Sequence, residues 1–172
     1  MRGTLRIGAT AWSAVREHLF GSRDERMAYL LARASVWTDP WGSEVVDLLV
    51  TRAMPVPDAA LRLQSGVRVE VEAAFTREIL VACYETGLSL VDVHTHPFAV
   101  GAVSFSGHDV ANMPVTHAEF LAAVPPDPPR TAASLVLGQR AAAGVFTDPG
   151  GGGLHRLDRF EVLGDHVEKV AL

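Results

Sequence analysis

The sequence predicts an α/β (α+β) domain built on a mixed, mostly antiparallel sheet flanked by helices. Three observations point there. Strand-like runs of aliphatic residues alternate with three helix-length segments and return in pairs across short turns. One run, Leu88–His96, is apolar almost throughout, as befits a strand covered on both faces. The chain has 172 residues, of which 48% are apolar, enough to bury one core without disulfides or a structural metal. A single domain over residues 1–172 is therefore expected.

Each element has its own local reason. Thr4–Gly8 reads as a short first strand. A helix opened by Thr10 or Ser13 runs to Leu19 and puts Trp12, Val15, Leu19 and Phe20 on one face, and Gly21–Asp24 breaks it. Arg26–Trp37 reads as a long buried strand, Thr38–Gly42 as a turn and Glu44–Met54 as its antiparallel partner. Pro55–Gly66 reads as a loop and Val67–Val71 as a short extended piece. Glu72–Thr86 spaces Phe75, Ile79, Leu80, Ala82 and Cys83 as a helix does, with Gly87 as its C-terminal stop. The apolar strand Leu88–His96 comes next, followed by a helix over Asp109–Ala123 and a Pro-rich break over Val124–Arg130. Ser134–Gly138 and Gly144–Thr147 read as short strands, Pro149–Gly153 as a turn, and Arg159–Leu163 with Val167–Val170 as a closing pair.

Composition narrows the function. A net charge of −5 with no basic stripe argues against nucleic acid, whose binding needs clustered Lys and Arg. No apolar run approaches the roughly 20 residues that span a membrane. The first residues lack the apolar stretch and small-residue cleavage site of a secretory signal. Cys83 has no partner cysteine, which suits a reducing compartment, so a cytoplasmic location is expected. Cys83 itself reads as a small buried residue rather than a nucleophile. Of the 15 Lys and Arg residues only Lys169 is a lysine, and a general bias towards Arg accounts for that.

The chemistry concentrates in Val91–Met113, VDVHTHPFAVGAVSFSGHDVANM. His94 and His96 stand two apart on a strand, hence on one face. Pro97 ends that strand, a small-residue loop follows, and Ser106-Gly107-His108-Asp109 falls where a helix begins. Two imidazoles and the Asp109 carboxylate, with a position left for water, describe a catalytic zinc site. Each residue also has a plain structural use. Ser106-x-x-Asp109 is a helix-capping pair, the two histidines could be satisfied core residues, and Glu25 could be a solvated turn residue beside Asp24. Asp92–His96 also matches the DxHxH strand of barrel hydrolases. That motif opens a barrel of about 250 residues, whereas here it lies past the midpoint of a 172-residue chain. His18, His108, His117, His155 and His166 read as surface or capping residues.

HTHP, a loop and then SGHD resemble the signature of the JAMM metalloproteases, also called the MPN-plus or JAB family: HxHP, a spacer and SxxD. The family carries a catalytic glutamate upstream, after its first helix, where a long strand begins. Asp24-Glu25-Arg26-Met27-Ala28-Tyr29-Leu30-Leu31-Ala32 fits that place. The spacer Phe98–Phe105 is longer than the family's usual one. Starting the second motif at Ser104 would put Gly107 at the third ligand position, where glycine cannot coordinate, so Ser106 with Asp109 is the matching register.

The resemblance implies a JAB/MPN (cytidine-deaminase-like) fold and one catalytic Zn²⁺ held by His94, His96 and Asp109. It implies Glu25 as the proton carrier and Ser106 as a donor to the oxyanion. The activity it implies is hydrolysis of the amide at the C-terminus of a ubiquitin-like modifier, in deconjugation or precursor processing. The chain's compact size is similar to prokaryotic members that accompany activating and conjugating enzymes in small modification systems, anti-phage ones included. Implied partners are thus the modifier or its conjugate and those enzymes, with no nucleic acid or membrane. Loops 38–43, 55–66, 98–105 and 123–131 are candidates for gripping the modifier. Two alternatives stand beside this reading: a zinc hydrolase of small amides or sulfur-carrier conjugates, and a non-catalytic MPN scaffold, which usually goes with missing ligands.

Overall fold

β-Branched and aliphatic runs become strands wherever a neighbour can take their backbone hydrogen bonds, and this chain offers many such neighbours. The computed structural model describes all 172 residues, Met1–Leu172. The elements are β1 (Arg2–Gly8), α1 (Ala9–Phe20), β2 (Met27–Thr38), β3 (Glu44–Pro55), a 3₁₀ turn (Asp58–Ala60), β4 (Leu61–Ser65), β5 (Arg68–Val71), α2 (Ala73–Thr86) and β6 (Ser89–Thr95). They continue with α3 (Gly107–Ala123), β7 (Ala132–Leu137), β8 (Ala142–Thr147), β9 (Leu154–Arg156), β10 (Arg159–Leu163) and β11 (Val167–Val170). Nine strands form one sheet in the order β11-β10-β1-β3-β2-β6-β7-β8-β9, while β4 and β5 pair as a separate hairpin. β1 runs parallel to β10 and β3, and β6 runs parallel to β7; the remaining neighbours are antiparallel.

Period-two alternation divides the core between the sheet's two faces. On one face Leu5, Ile7, Val46, Leu48, Val91, Leu135 and Phe160 pack beneath α1, which contributes Trp12, Val15 and Leu19. On the other, Tyr29, Leu31, Leu90 and Ala132 meet Ile79 and Cys83 of α2 and Phe120 of α3. Burial pushes the Cys83 thiol up to about 11, so it is an inert core residue. α2 stops at Gly87, whose φ of +64° places it in the left-handed region that glycine tolerates best. No helix is long and apolar enough to cross a membrane.

The helix-flanked α/β architecture expected from sequence, and with it the JAB/MPN fold the resemblance implied, is not what the chain builds, although α1 covers part of one sheet face and α2 and α3 part of the other. Strand accounts for 41% of the residues and helix for 27%, and the nine strands curl into a half-barrel accompanied by three short helices. Two physical causes separate expectation from outcome. The second face of β10-β1-β3 is polar, with Arg6 paired to Asp47 at 2.8 Å and to Glu161 at 2.9 Å, so it offers no apolar stripe for a helix to bury. After Ala132 the chain forms five strands and no helix, and these extend both edges of the sheet. Pro55–Gly66, read as a loop, contains the 3₁₀ turn and all of β4; Leu154–Arg156, read as nothing regular, is the edge strand β9.

Candidate metal centre

The histidines are placed by strand register. His94 on β6 lies opposite Met27 of β2 and beside Val136 of β7. His96 follows the end of β6, where its N–H donates to Leu137 O at 2.9 Å. The loop beyond it is pinned to the β7–β8 turn: Gln139 donates through its side chain to Pro97 O (3.1 Å) and through its backbone to Ala99 O (2.8 Å). Gly138 permits that approach, since a Cβ there would stand 2.8 Å from Ala99 O.

Asp109 arrives on the first turn of α3. Ser106 and Asp109 do form a capping box: Asp109 N–H donates to Ser106 Oγ at 3.2 Å and Ser106 N–H donates to Asp109 Oδ2 at 2.7 Å. The cap and the candidate ligand are thus one feature. The Asp109 oxygen fixed by the cap stands 3.5 Å from His94 Nε2 and 3.7 Å from His96 Nε2. A tetrahedral zinc with bonds of about 2.0–2.2 Å needs donors about 3.3–3.6 Å apart. All three ligand atoms lie within 4.8 Å of one another, and His94 Nε2 is buried without a hydrogen-bond partner. A buried ring nitrogen left unsatisfied is costly, and a cation between these groups removes that cost. The residues fit a metal ion.

The same groups are electrostatically coupled. Burial alone would raise the Asp109 carboxyl, but His94 and the Ser106 contacts outweigh it and hold Asp109 well below the usual carboxylate range. Burial alone would lower the His94 imidazole, yet Asp109 holds it above its ordinary value. His96 is lowered, by burial first and then by the neighbouring His94.

Glu25 reaches the same place from the other side. It precedes β2 and is almost fully buried, with Oε1 3.6 Å from His96 Nε2. The β4–β5 hairpin holds its backbone: Glu25 N–H donates to Ser65 O at 2.8 Å, and Gln64 Nε2 donates to Glu25 O at 3.1 Å. The next residue is tied to β6, as Arg26 N–H donates to Thr95 Oγ1 (3.0 Å) and Thr95 N–H to Arg26 O (3.1 Å). Burial pushes the Glu25 carboxyl up to about 7, against the pull of His94. A buried carboxyl beside a candidate ion site can take and return a proton. Sequence reasoning missed the hairpin, although Leu61 and Leu63, then Val67, Val69 and Val71, alternate with polar residues about a Ser65-Gly66 turn.

These groups open into a cleft of about 560 Å³ between the hairpin and α3. Ser106 is exposed at its rim; its Oγ accepts the cap bond and keeps its own hydrogen to donate. His108 is exposed beside it and contacts Asn112. His117, expected at the surface or in a cap, is instead 1% exposed on the buried face of α3. Its Nδ1 lies 2.6 Å from Thr147 Oγ1 and its Nε2 2.8 Å from Ser134 Oγ. Met113, His117 and Phe120 share that face at helical spacing, a signal that was present in the sequence.

No family model matches the chain, and no curated protein matches it. Among solved structures, the STIL N-terminal domain of Trichoplax adhaerens aligns with 83% of this chain at 10% identity and a TM-score of 0.36. The chain spans 41% of the length of that structure.

Proposed function

We propose that this chain is a zinc-dependent isopeptidase or peptidase with JAMM-type site chemistry, hydrolysing the amide at the C-terminus of a ubiquitin-like modifier. The proposal concerns the site and not the fold. One observation carries it: Glu25, His94, His96 and Asp109, named from distant stretches of sequence, converge on one cleft, and the last three have donor separations suited to a single ion.

His94, His96 and Asp109 would hold the ion, which supplies Lewis acidity and brings the pKa of a water towards about 7. Glu25, within reach of that place, takes the proton of the attacking water and returns it to the departing amine, which cannot leave unprotonated. Ser106 donates its hydroxyl hydrogen to the carbonyl oxygen as charge develops there. Thr95 and the β4–β5 hairpin hold the Glu25 segment still while its carboxyl changes charge.

A ubiquitin-like modifier or its conjugate is the partner on this reading, with activating and conjugating enzymes acting upstream in the cytoplasm, where a lone Cys83 stays reduced. The cleft volume equally suits a small amide or sulfur-carrier conjugate. The test is hydrolysis of a glycine-terminated modifier joined to a lysine peptide, run beside a small acyl-amide substrate, each with and without chelator. Chelator-sensitive release of the modifier supports the first reading, and release from the small amide alone supports the second. Cleavage that survives complete removal of metal overturns both.

A further inference from the structure

Asp92 lies on the floor of the same cleft, on the face of β6 that carries His94 and about 7 Å from it by the rise of a strand. Its register partners are Tyr29 on β2 and Ser134 on β7. Ser134 Oγ donates its single hydrogen to Asp92 Oδ1 at 2.5 Å. The contact from His117 Nε2 to Ser134 Oγ must therefore be a donation from the ring, which leaves Nδ1 as the acceptor of the Thr147 hydroxyl. A buried chain, Thr147 to His117 to Ser134, thus fixes the Asp92 carboxylate from beneath.

The one positive charge that acts on that carboxylate is His94, two residues along the strand, and only through space. Asp92 takes part in no ion pair. The only arginines lining the cleft, Arg62 and Arg68, are both paired with Glu70. Tying β6 to β7 would need only a neutral acceptor, and a carboxylate in that role carries a desolvation cost that a neutral group avoids. The Tyr29 and Thr76 hydroxyls, 3.1 Å apart, line the cleft beside it, and the exposed Glu119 lines the cleft from α3.

We propose that Asp92 is the floor of an organic-cation subsite, which takes the guanidinium or ammonium group of a substrate residue near the bond to be cut. That this cation belongs to a substrate rests on the hydrolase reading above; that the cleft binds it does not. The group is either a side chain of an extended peptide or the free end of a small molecule.

Binding is measured by calorimetry on zinc-loaded Glu25→Gln protein, which separates affinity from turnover. The probes are hexapeptides ending in Gly-Gly with arginine at each upstream position in turn, their citrulline counterparts, and free arginine amide against citrulline amide. Citrulline keeps the shape and removes the charge. Arginine at one position should bind about ten- to hundredfold more tightly than citrulline, the range of a hydrogen bond to a charged group. The preference should vanish in Asp92→Asn with zinc content unchanged. If only the peptide shows it, the source is a side chain; if arginine amide shows it alone, the source is a small molecule. Equal affinity for arginine and citrulline overturns the proposal, as does a preference that survives in folded Asp92→Asn, or loss of zinc from that variant. Because the arginine–citrulline comparison needs no change at Asp92, equal affinity overturns the proposal even where Asp92→Asn does not fold. Failure of the hydrolase reading is seen separately, as absent turnover by the native protein with the binding preference intact.

Discussion

Replacing His117 by glutamine should remove a pH dependence of stability that the native protein carries. The ring is 1% exposed and spans Thr147 and Ser134, and burial pushes its imidazole down to about 4 from an ordinary value of 6.5. Above pH 6.5 neither the folded nor the unfolded chain protonates this residue. As the pH falls from 6.5 towards 4 the unfolded chain binds a proton that the folded chain refuses, so stability is lost through that window and levels off below it. At about 1.4 kcal/mol per pH unit the loss approaches about 3 kcal/mol. Glu25 and Asp92, raised by burial to about 7 and about 6, titrate nearby with the opposite sign. The native protein must therefore be compared with His117→Gln rather than studied alone. Urea unfolding of both, metal-free, in steps from pH 7.5 to 4 gives the stability gap at each pH. The gap should favour the native protein at pH 7 and shrink by about 3 kcal/mol by pH 4. A gap that stays constant across that range would mean that His117 is not held neutral in the core.

The site makes three further expectations. Glu25→Gln should keep zinc in a metal analysis and lower turnover by about 10²- to 10⁴-fold, the range for a positioned proton carrier. Asp109→Ala should lose zinc affinity and about 1 kcal/mol of stability with its share of the capping box, whereas Asp109→Asn should lose affinity but keep most of the stability, since its amide oxygen still accepts the Ser106 N–H. Thermal melts with and without zinc separate the two effects. Gln64→Ala removes the hairpin's side-chain bond to Glu25 O; it should cost about 1 kcal/mol and reduce kcat while zinc stoichiometry stays unchanged.

The site was more legible in the sequence than the fold, for physical reasons. Strand parity is a local property, so His94 and His96 could be placed on one face from two letters either side of Thr95. Ser106 and Asp109 were legible as a helix start because a capping box is written in four residues. Glu25 could be located only by family order, because the Arg26–Thr95 bonds that draw it in are long-range. The hairpin that holds it was obscured by the Arg and Glu residues between its apolar ones and by the prolines before it. Strand order lay out of reach: β1 takes β3 and β10 as parallel neighbours, and no local pattern encodes such pairings. The polar second face of β10-β1-β3, set by Arg6, Asp47 and Glu161, is a property of three strands at once. His117 was misread because a single histidine gives no sign of burial until its helix face is traced through Met113 and Phe120.

Zinc content after exhaustive dialysis, determined by plasma mass spectrometry on the native protein and on His94→Ala, is the most direct test of a metal centre at His94, His96 and Asp109. The expected result is one zinc per native chain and none in a folded His94→Ala protein. A native chain that retains no zinc, or a His94→Ala chain that retains as much as the native one, would contradict the metal centre and the chemistry built on it.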